Sequence, residues 1–298
     1  MPFPQTGIFA LGDASHLYLE FSLLPGVLPR HFVETAASFF ASARTIGGAN
    51  LVIGFRPELW RAVAPSDTPD DASGFNAPIA GADGFTMPAT QLDLWLWVSA
   101  ASYDIVWDSG RAALEQTGDV ARLERQLGGW TYRRNRDLTG FEDGTENPPL
   151  ALAHNDALVP ENRKGTAASH LLFQKWRHET SWHELTDYEQ EHAMGRTKAD
   201  SNEFEGVDAR PDSHVHRAKD LVEGEERDIF RRNVAYGDIV DYGTVFVGFS
   251  AERSRLQRML ERMAGAEDGI RDAITRFTTP LTGAYYIVPA VTALEQFT

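Results

Sequence analysis

The stretch His16-Leu17-Tyr18-Leu19-Glu20-Phe21-Ser22-Leu23 decides the fold. Leu17, Leu19, Phe21 and Leu23 alternate with Tyr18, Glu20 and Ser22, the period of two that puts apolar side chains on one face of a half-buried strand. Pro25-Gly26 ends it, and the spacing changes. Phe32, Ala36, Phe39, Phe40 and Ala43 fall on one face of a helix whose first turn suits Pro29 and which Gly47-Gly48 close. Residues 50–55 read as a second strand. Leu92, Leu94, Leu96 and Val98 line one face of a third, residues 102–117 have helical spacing, and residues 120–132 supply a fourth strand. The order is βαββαβ. The interruption at 64–88, rich in Pro, Gly, Ala and Asp, is too long for a turn and is expected to be a functional loop or lid.

The second half begins similarly. A strand at 169–177 precedes a helix at 182–194, whose start carries the capping pair Ser181 and Glu184. A strand at 244–249, a helix at 252–263 and a strand at 284–288 follow. The economical reading is an α+β fold of two split βαβ units, each an antiparallel sheet covered by helices. The boundary falls in the run 147–163, with Pro148, Pro149 and Pro160, dividing the chain into 1–150 and 151–298. No residue-level repeat links the halves, so their likeness rests on element order.

Composition narrows the function. The formal charge of −15 and a pI near 5.0 argue against nucleic acid, whose phosphates reward clustered Lys and Arg. The absence of Cys excludes disulfides, thiolate metal sites and a cysteine nucleophile. No basic leader with a long apolar run opens the sequence, and no uncharged stretch reaches membrane-spanning length. A soluble cytoplasmic protein without a membrane partner is expected.

Three segments carry candidate chemistry. Gly140-Phe141-Glu142-Asp143-Gly144-Thr145-Glu146-Asn147-Pro148 sets acidic side chains among turn formers after a strand. Asp-Gly alone most often marks a turn, and the segment does not match a calcium loop. His214 sits in Pro211-Asp212-Ser213-His214-Val215-His216-Arg217-Ala218, where Asp212 or Ser213 suits the cap of a short helix. His216 makes a His-x-His pair conceivable, but no third and fourth ligand stand nearby. Arg231-Arg232-Asn233 follows Ile229-Phe230 in an apolar run, where a guanidinium can be held in a pocket to stabilise anionic charge.

Taken in this order, the segments resemble the dye-decolorising peroxidase family. Its mark is a G-x-x-D-G loop, then a proximal His, then a distal Arg followed two positions on by Asn or Ser; here these are Gly140 to Gly144, His214, and Arg231 with Asn233. The likeness covers almost the whole chain, including residues 171–176, 195–198 and 282–286, and is closest to the compact bacterial cytoplasmic members.

The resemblance implies two ferredoxin-like domains with one haem b in the C-terminal domain. It implies an enzyme that reduces hydrogen peroxide and oxidises dyes or other aromatic small molecules in one-electron steps. His214 is the expected iron ligand and Asp272 the acceptor for its other ring nitrogen. Asp143 is the expected acid/base, Arg231 the charge stabiliser and Asn233 the residue positioning peroxide or water. Arg232 is the rival for the arginine role. Arg196, Lys198, His216 and Arg217 are candidates to pair with the haem propionates. The alternative is a haem-binding or porphyrin-handling protein that needs His214 but not Asp143 or Arg231. Only nine residues follow Pro289, so the tail by which some relatives enter protein shells is not expected. Exposed sheet edges allow a homo-oligomer.

Overall fold

The computed structural model describes residues 2–43, 48–133, 135–222 and 224–298, so Gly47 of the proposed helix end lies outside the described residues. Strand β1 (Ser15–Leu23) shows how the molecule is built. Leu17, Leu19 and Phe21 pack beneath helices α1 (Pro29–Ala43) and α2 (Tyr103–Thr117), together with Phe32, Phe39, Phe40, Val106 and Ala113. The face expected to meet solvent does not: Tyr18 is 1% and Glu20 2% exposed. Both faces are buried because the strand's second face lines the inside of a barrel.

The barrel is assembled from two sheets of the same permutation. Strands β1, β2 (Ala49–Phe55), β3 (Leu94–Ala100) and β4 (Ala121–Trp130) pair antiparallel in the order β4-β1-β3-β2. Strands β5 (Ser169–His178), β6 (Val234–Gly237), β7 (Tyr242–Ser250) and β8 (Ala284–Val288) pair antiparallel as β6-β7-β5-β8. Each is the ferredoxin-like order. Single pairings, Ala235 with Trp130 and Ile287 with Phe55, join the sheets at both ends and close the circuit. The edges on which an oligomer was expected are thus paired with each other, and full closure removes exposed edges.

Aromatic side chains from both sheets fill the interior. Tyr18, Trp95, Trp97, Phe173, Phe249 and Tyr286 form one cluster, with Tyr18 and Phe173 ring centroids 5.3 Å apart. Glu20 is tolerated there because the Tyr286 hydroxyl donates to it at 2.6 Å and Arg125 Nη1 at 3.3 Å. Burial nevertheless pushes the Glu20 carboxyl above its ordinary pKa.

Two expectations need correction. The segment 64–88 is no lid. Phe75, Ile79, Phe85 and Met87 pack on Leu256, Met259, Leu260 and Met263 of helix α5 (Arg253–Ala264), which lies against β7. A Cβ on Gly81 would lie 2.2 Å from the Ala264 carbonyl oxygen, so the segment is seated against the protein as a cover for the second half. The helix expected at 182–194 is split. Thr180–Glu184 forms a 3-10 turn, and helix α3 (Asp187–Met194) starts afresh at Thr186. Thr186 and Glu189 form the complete capping box, a stronger start than Ser181 and Glu184, which make no such pair. Helix α4 (His214–Ala218) follows, and α5 spans Arg253–Ala264.

Candidate active site

A cavity opens on the outer face of the second sheet. Gln174, Trp176 and His178 of β5 and Thr244 and Phe246 of β7 form its floor, and Met259, Leu260 and Met263 of α5 form an apolar wall. Asp143, Arg231, Asn233 and His214 all line it.

His214 is the first residue of α4. Ser213 occupies the cap position, but its hydroxyl donates back to the Arg210 carbonyl at 2.8 Å, and Asp212 pairs with Arg210 and Arg276, so neither side chain caps α4. His214 Nδ1 lies 2.8 Å from Asp272 Oδ2. Asp272 is fully buried and pinned in turn, since its Oδ1 accepts from the Ile274 amide at 3.0 Å at the start of the turn Ala273–Arg276. A carboxylate in that position orients the ring with Nδ1 as donor and leaves Nε2 as a lone pair.

Asp143 is held by its backbone. Its amide donates to the Asn135 carbonyl at 2.9 Å, and Asn135 Nδ2 donates to the Asp143 carbonyl at 2.8 Å. The loop turns through Gly140 and Gly144 at φ +97° and +79°, a region that favours glycine. Asn147 grips the Arg231 backbone in the same two-handed way, at 2.9 Å each. Asn233 ties the pieces together: Nδ2 donates to Asp143 Oδ1 at 3.3 Å while Oδ1 accepts from the Val247 amide at 3.0 Å. Burial raises the Asp143 pKa; the Arg231 charge opposes that and the nearby Asp137 adds to it. Arg231 Nε is buried without a hydrogen-bond partner among the described residues.

Arg231 and Arg232 part company. Adjacent residues of an extended chain point to opposite faces. Arg232 turns to the barrel interior, donates to the Ile8 carbonyl at 2.6 Å and to the Ala10 carbonyl, and sits 5.0 Å from the Trp97 ring. Burial lowers its pKa to about 10.

Of the four basic residues proposed to pair with propionates, the structure brings only Arg196 to the cavity, where it contacts Thr145, Glu146 at 3.1 Å and Glu203 at 3.3 Å. The other three lie outside its lining. Lys198 is engaged by Asp187 at 2.7 Å and by Gln190. Arg217 is buried in a two-pronged pair with Asp268 at 2.7 and 2.9 Å and in bonds to the Arg262 carbonyl. His216 is exposed and outside the lining. Sequence reasoning missed Lys219 and Arg227, both on the cavity, and also Asp137 and His178. Nothing in the local sequence pattern marks these.

The residues suit a flat macrocycle that carries iron. They offer an imidazole with a free nitrogen, an apolar wall, and, beside a carboxyl, a guanidinium whose Nε is buried without a hydrogen-bond partner among the described residues. Among the described residues no group of three or more His, Cys, Asp or Glu could hold a bare metal ion.

Comparison with known proteins agrees. The family model of the Dyp-type peroxidase C-terminal part matches residues 134–293. A dye-decolorizing peroxidase of Brevibacterium linens is 31% identical over 251 residues, 82% of this chain and 68% of the relative. That of Mycobacterium tuberculosis is 33% identical over 71% of this chain and 65% of its own. The solved structure of DyPB from Rhodococcus jostii RHA1 aligns with a TM-score of 0.90 at 30% identity, covering 98% of this chain and 97% of that one. A putative dyp-type peroxidase from Shewanella oneidensis aligns at 0.89 and 28%, covering 100% and 99%. This chain belongs to the Dyp-type peroxidase family, and its activity is that of a haem peroxidase. Hydrogen peroxide and a reducing substrate are its reactants.

Proposed function

We propose that the cavity is the peroxidase centre, where His214 Nε2 would hold the haem iron and Asp143, Arg231 and Asn233 are the groups that handle peroxide. Variants of the Rhodococcus jostii relative have been solved in complex with heme, which supports placing haem here. Haem, when bound, supplies the iron and the redox chemistry.

Each residue then has a task set by its surroundings. Asp272 keeps the His214 Nδ1 proton engaged and the ring fixed, which makes Nε2 more electron-donating. Asp143 takes a proton from one peroxide oxygen and gives it to the oxygen that leaves as water. Its raised proton affinity lets the carboxyl act in both directions nearer to neutral pH than an exposed aspartate. Arg231, with an Nε free to donate, steadies the negative charge that builds as the O–O bond breaks. Asn233 holds Asp143 Oδ1 and keeps the carboxyl aimed into the cavity. Arg196 is the group proposed to meet a propionate.

The observation that carries this reading is the convergence of Asp143 and Arg231 on the cavity that His214 also borders. A protein that only binds or hands on porphyrin has no use for that pair. Stopped-flow mixing with peroxide tests it. Asp143→Ala should slow the reaction by about 10²–10⁴ and Arg231→Leu by about 10²–10³, both with haem retained. Parent-like rates in both variants would shift the assignment to haem handling.

The finer setting belongs to the same proposal. The reductant is a dye or another aromatic small molecule, the working location is the cytoplasm, homo-oligomers are allowed, and neither nucleic acid nor membrane is a partner. The chain divides near residue 150 into two domains, supported by strands at 15–130 and 169–288 that form two four-stranded sheets joined by single pairings. Among the described residues no helix is long and apolar enough to cross a membrane.

A further inference from the structure

Among the side chains on the cavity that have no task in the reading above, Asp137, Thr244 and His178 are linked to one another. Asp137 opens the loop that leads to Asp143, and its amide donates to the Phe141 carbonyl at 2.8 Å. Its Oδ1 accepts from the Thr139 amide at 2.7 Å, and its Oδ2 accepts the Thr244 hydroxyl. With that proton committed to Asp137, Thr244 Oγ1 is left to accept from His178 Nε2, 3.0 Å away. The tautomer follows: the neutral His178 ring carries its proton on Nε2. Nδ1 is then a lone pair, and it is buried without a hydrogen-bond partner among the described residues. His178 is only 7% exposed, so this orphaned acceptor lies inside the protein on a ring that borders the cavity. A buried acceptor left unpaired costs stability and calls for a reason.

We propose that His178, Thr244 and Asp137 form a proton relay that loads a second carboxyl group beside Asp143; this deepens the peroxidase reading and rests on it. The transfer balances. A proton arrives at His178 Nδ1, the Nε2 proton passes to Thr244 Oγ1, and the hydroxyl proton passes to Asp137 Oδ2. The products are a neutral ring, a hydroxyl and a carboxylic acid. His178 Nε2 also lies 3.9 Å from Asp137 Oδ1, so the charged ring is stabilised while the proton is in transit. The relay reaches Asp143 through charge, because an anionic Asp137 holds the Asp143 proton and a neutral one releases it. Other groups facing the relay are Arg231, which opposes the Asp137 effect, Glu179 beside His178, and Tyr242, whose ring meets the His178 ring at 6.1 Å with His183 behind it.

The test combines kinetics of the haem-loaded enzyme with nitrogen NMR of the His178 ring in the apoprotein. In Asp137→Asn the rising limb of the pH profile for reaction with peroxide should move to lower pH by about half a unit or more. The KM for a dye should stay unchanged, and Asp137→Glu should restore the parent profile. Thr244→Val, which cuts the relay but keeps the shape, should slow the reaction at least about tenfold and abolish the preference for the Nε2–H tautomer, while Thr244→Ser retains both. Superimposable pH profiles in parent, Asp137→Asn and Thr244→Val would overturn the relay, as would a ring that carries its proton on Nδ1. A parent that does not consume peroxide would overturn the peroxidase reading instead, a result told apart because the tautomer and its dependence on Thr244 are read without haem.

Discussion

The two sheets share one strand order and differ in what their outer faces carry. β1, β2 and β3 present Leu17, Leu19, Phe21, Leu51, Ile53, Phe55, Leu94, Leu96 and Val98 to two helices of 15 residues each. The result is a dry core. β5 and β7 present Gln174, Trp176, His178 and Thr244 alongside Leu172 and Phe246, and the chain between β5 and β6 contains helices of only 8 and 5 residues, α3 and α4. Those short helices do not cover the sheet, and a cavity remains. The same topology is therefore a scaffold in one half and a reaction vessel in the other, with the difference set by the outward residues of two strands and by helix length.

That contrast can be broken from either side. The largest effect is expected from His214→Ala, which removes the imidazole offered to the cavity. Turnover should vanish and the absorption of imidazole-ligated haem with it, while circular dichroism stays that of the parent because α4 is short and peripheral. Next comes the dry half. Phe32→Ala, at a fully buried position on α1 facing β1, should cost about 3–5 kcal/mol in denaturant unfolding and leave the peroxide rate of the folded fraction unchanged. A proportionate loss of both would mean that the halves are not separable in this way.

The smallest effect sharpens the comparison by pH. Asp143 has a folded-state pKa raised above its unfolded value, chiefly by burial. Its contribution to stability is fully present below the unfolded value of about 3.9 and is lost as pH rises through the folded value. Asp143→Asn cannot ionise and escapes that loss. The Tm of the variant minus that of the parent should therefore increase with pH from about 4 upward. A difference that is flat with pH, or that falls, would mean the carboxyl is not strained by burial.

The scaffold half was the more legible in sequence. Leu17, Leu19 and Phe21 announce a strand, and the change of spacing at Phe32 announces a helix, because local period reports directly on which face is buried. Period cannot tell a face open to water from one closed by another sheet, so Tyr18 and Glu20 read as solvent-facing. The closing contacts at Ala235 and Ile287 are single pairs with no sequence signature. In the site, Asp143, His214, Arg231 and Asn233 stood out only through family resemblance, since each alone reads as a turn, a loop histidine or a surface charge. Alternation shows that Arg231 and Arg232 diverge without showing which faces the cavity. The charges of Lys198 and Arg217 are visible in sequence, whereas their partners, Asp187 and Asp268, are brought close only by folding.

The central claim is that the half with the cavity holds haem and turns peroxide over. The most direct measurement is the absorption spectrum of haem-reconstituted protein before and after one equivalent of hydrogen peroxide, followed by an electron donor. The account predicts a Soret band that changes rapidly with peroxide and returns with the donor. A band that never forms, stays unchanged or merely bleaches would contradict it.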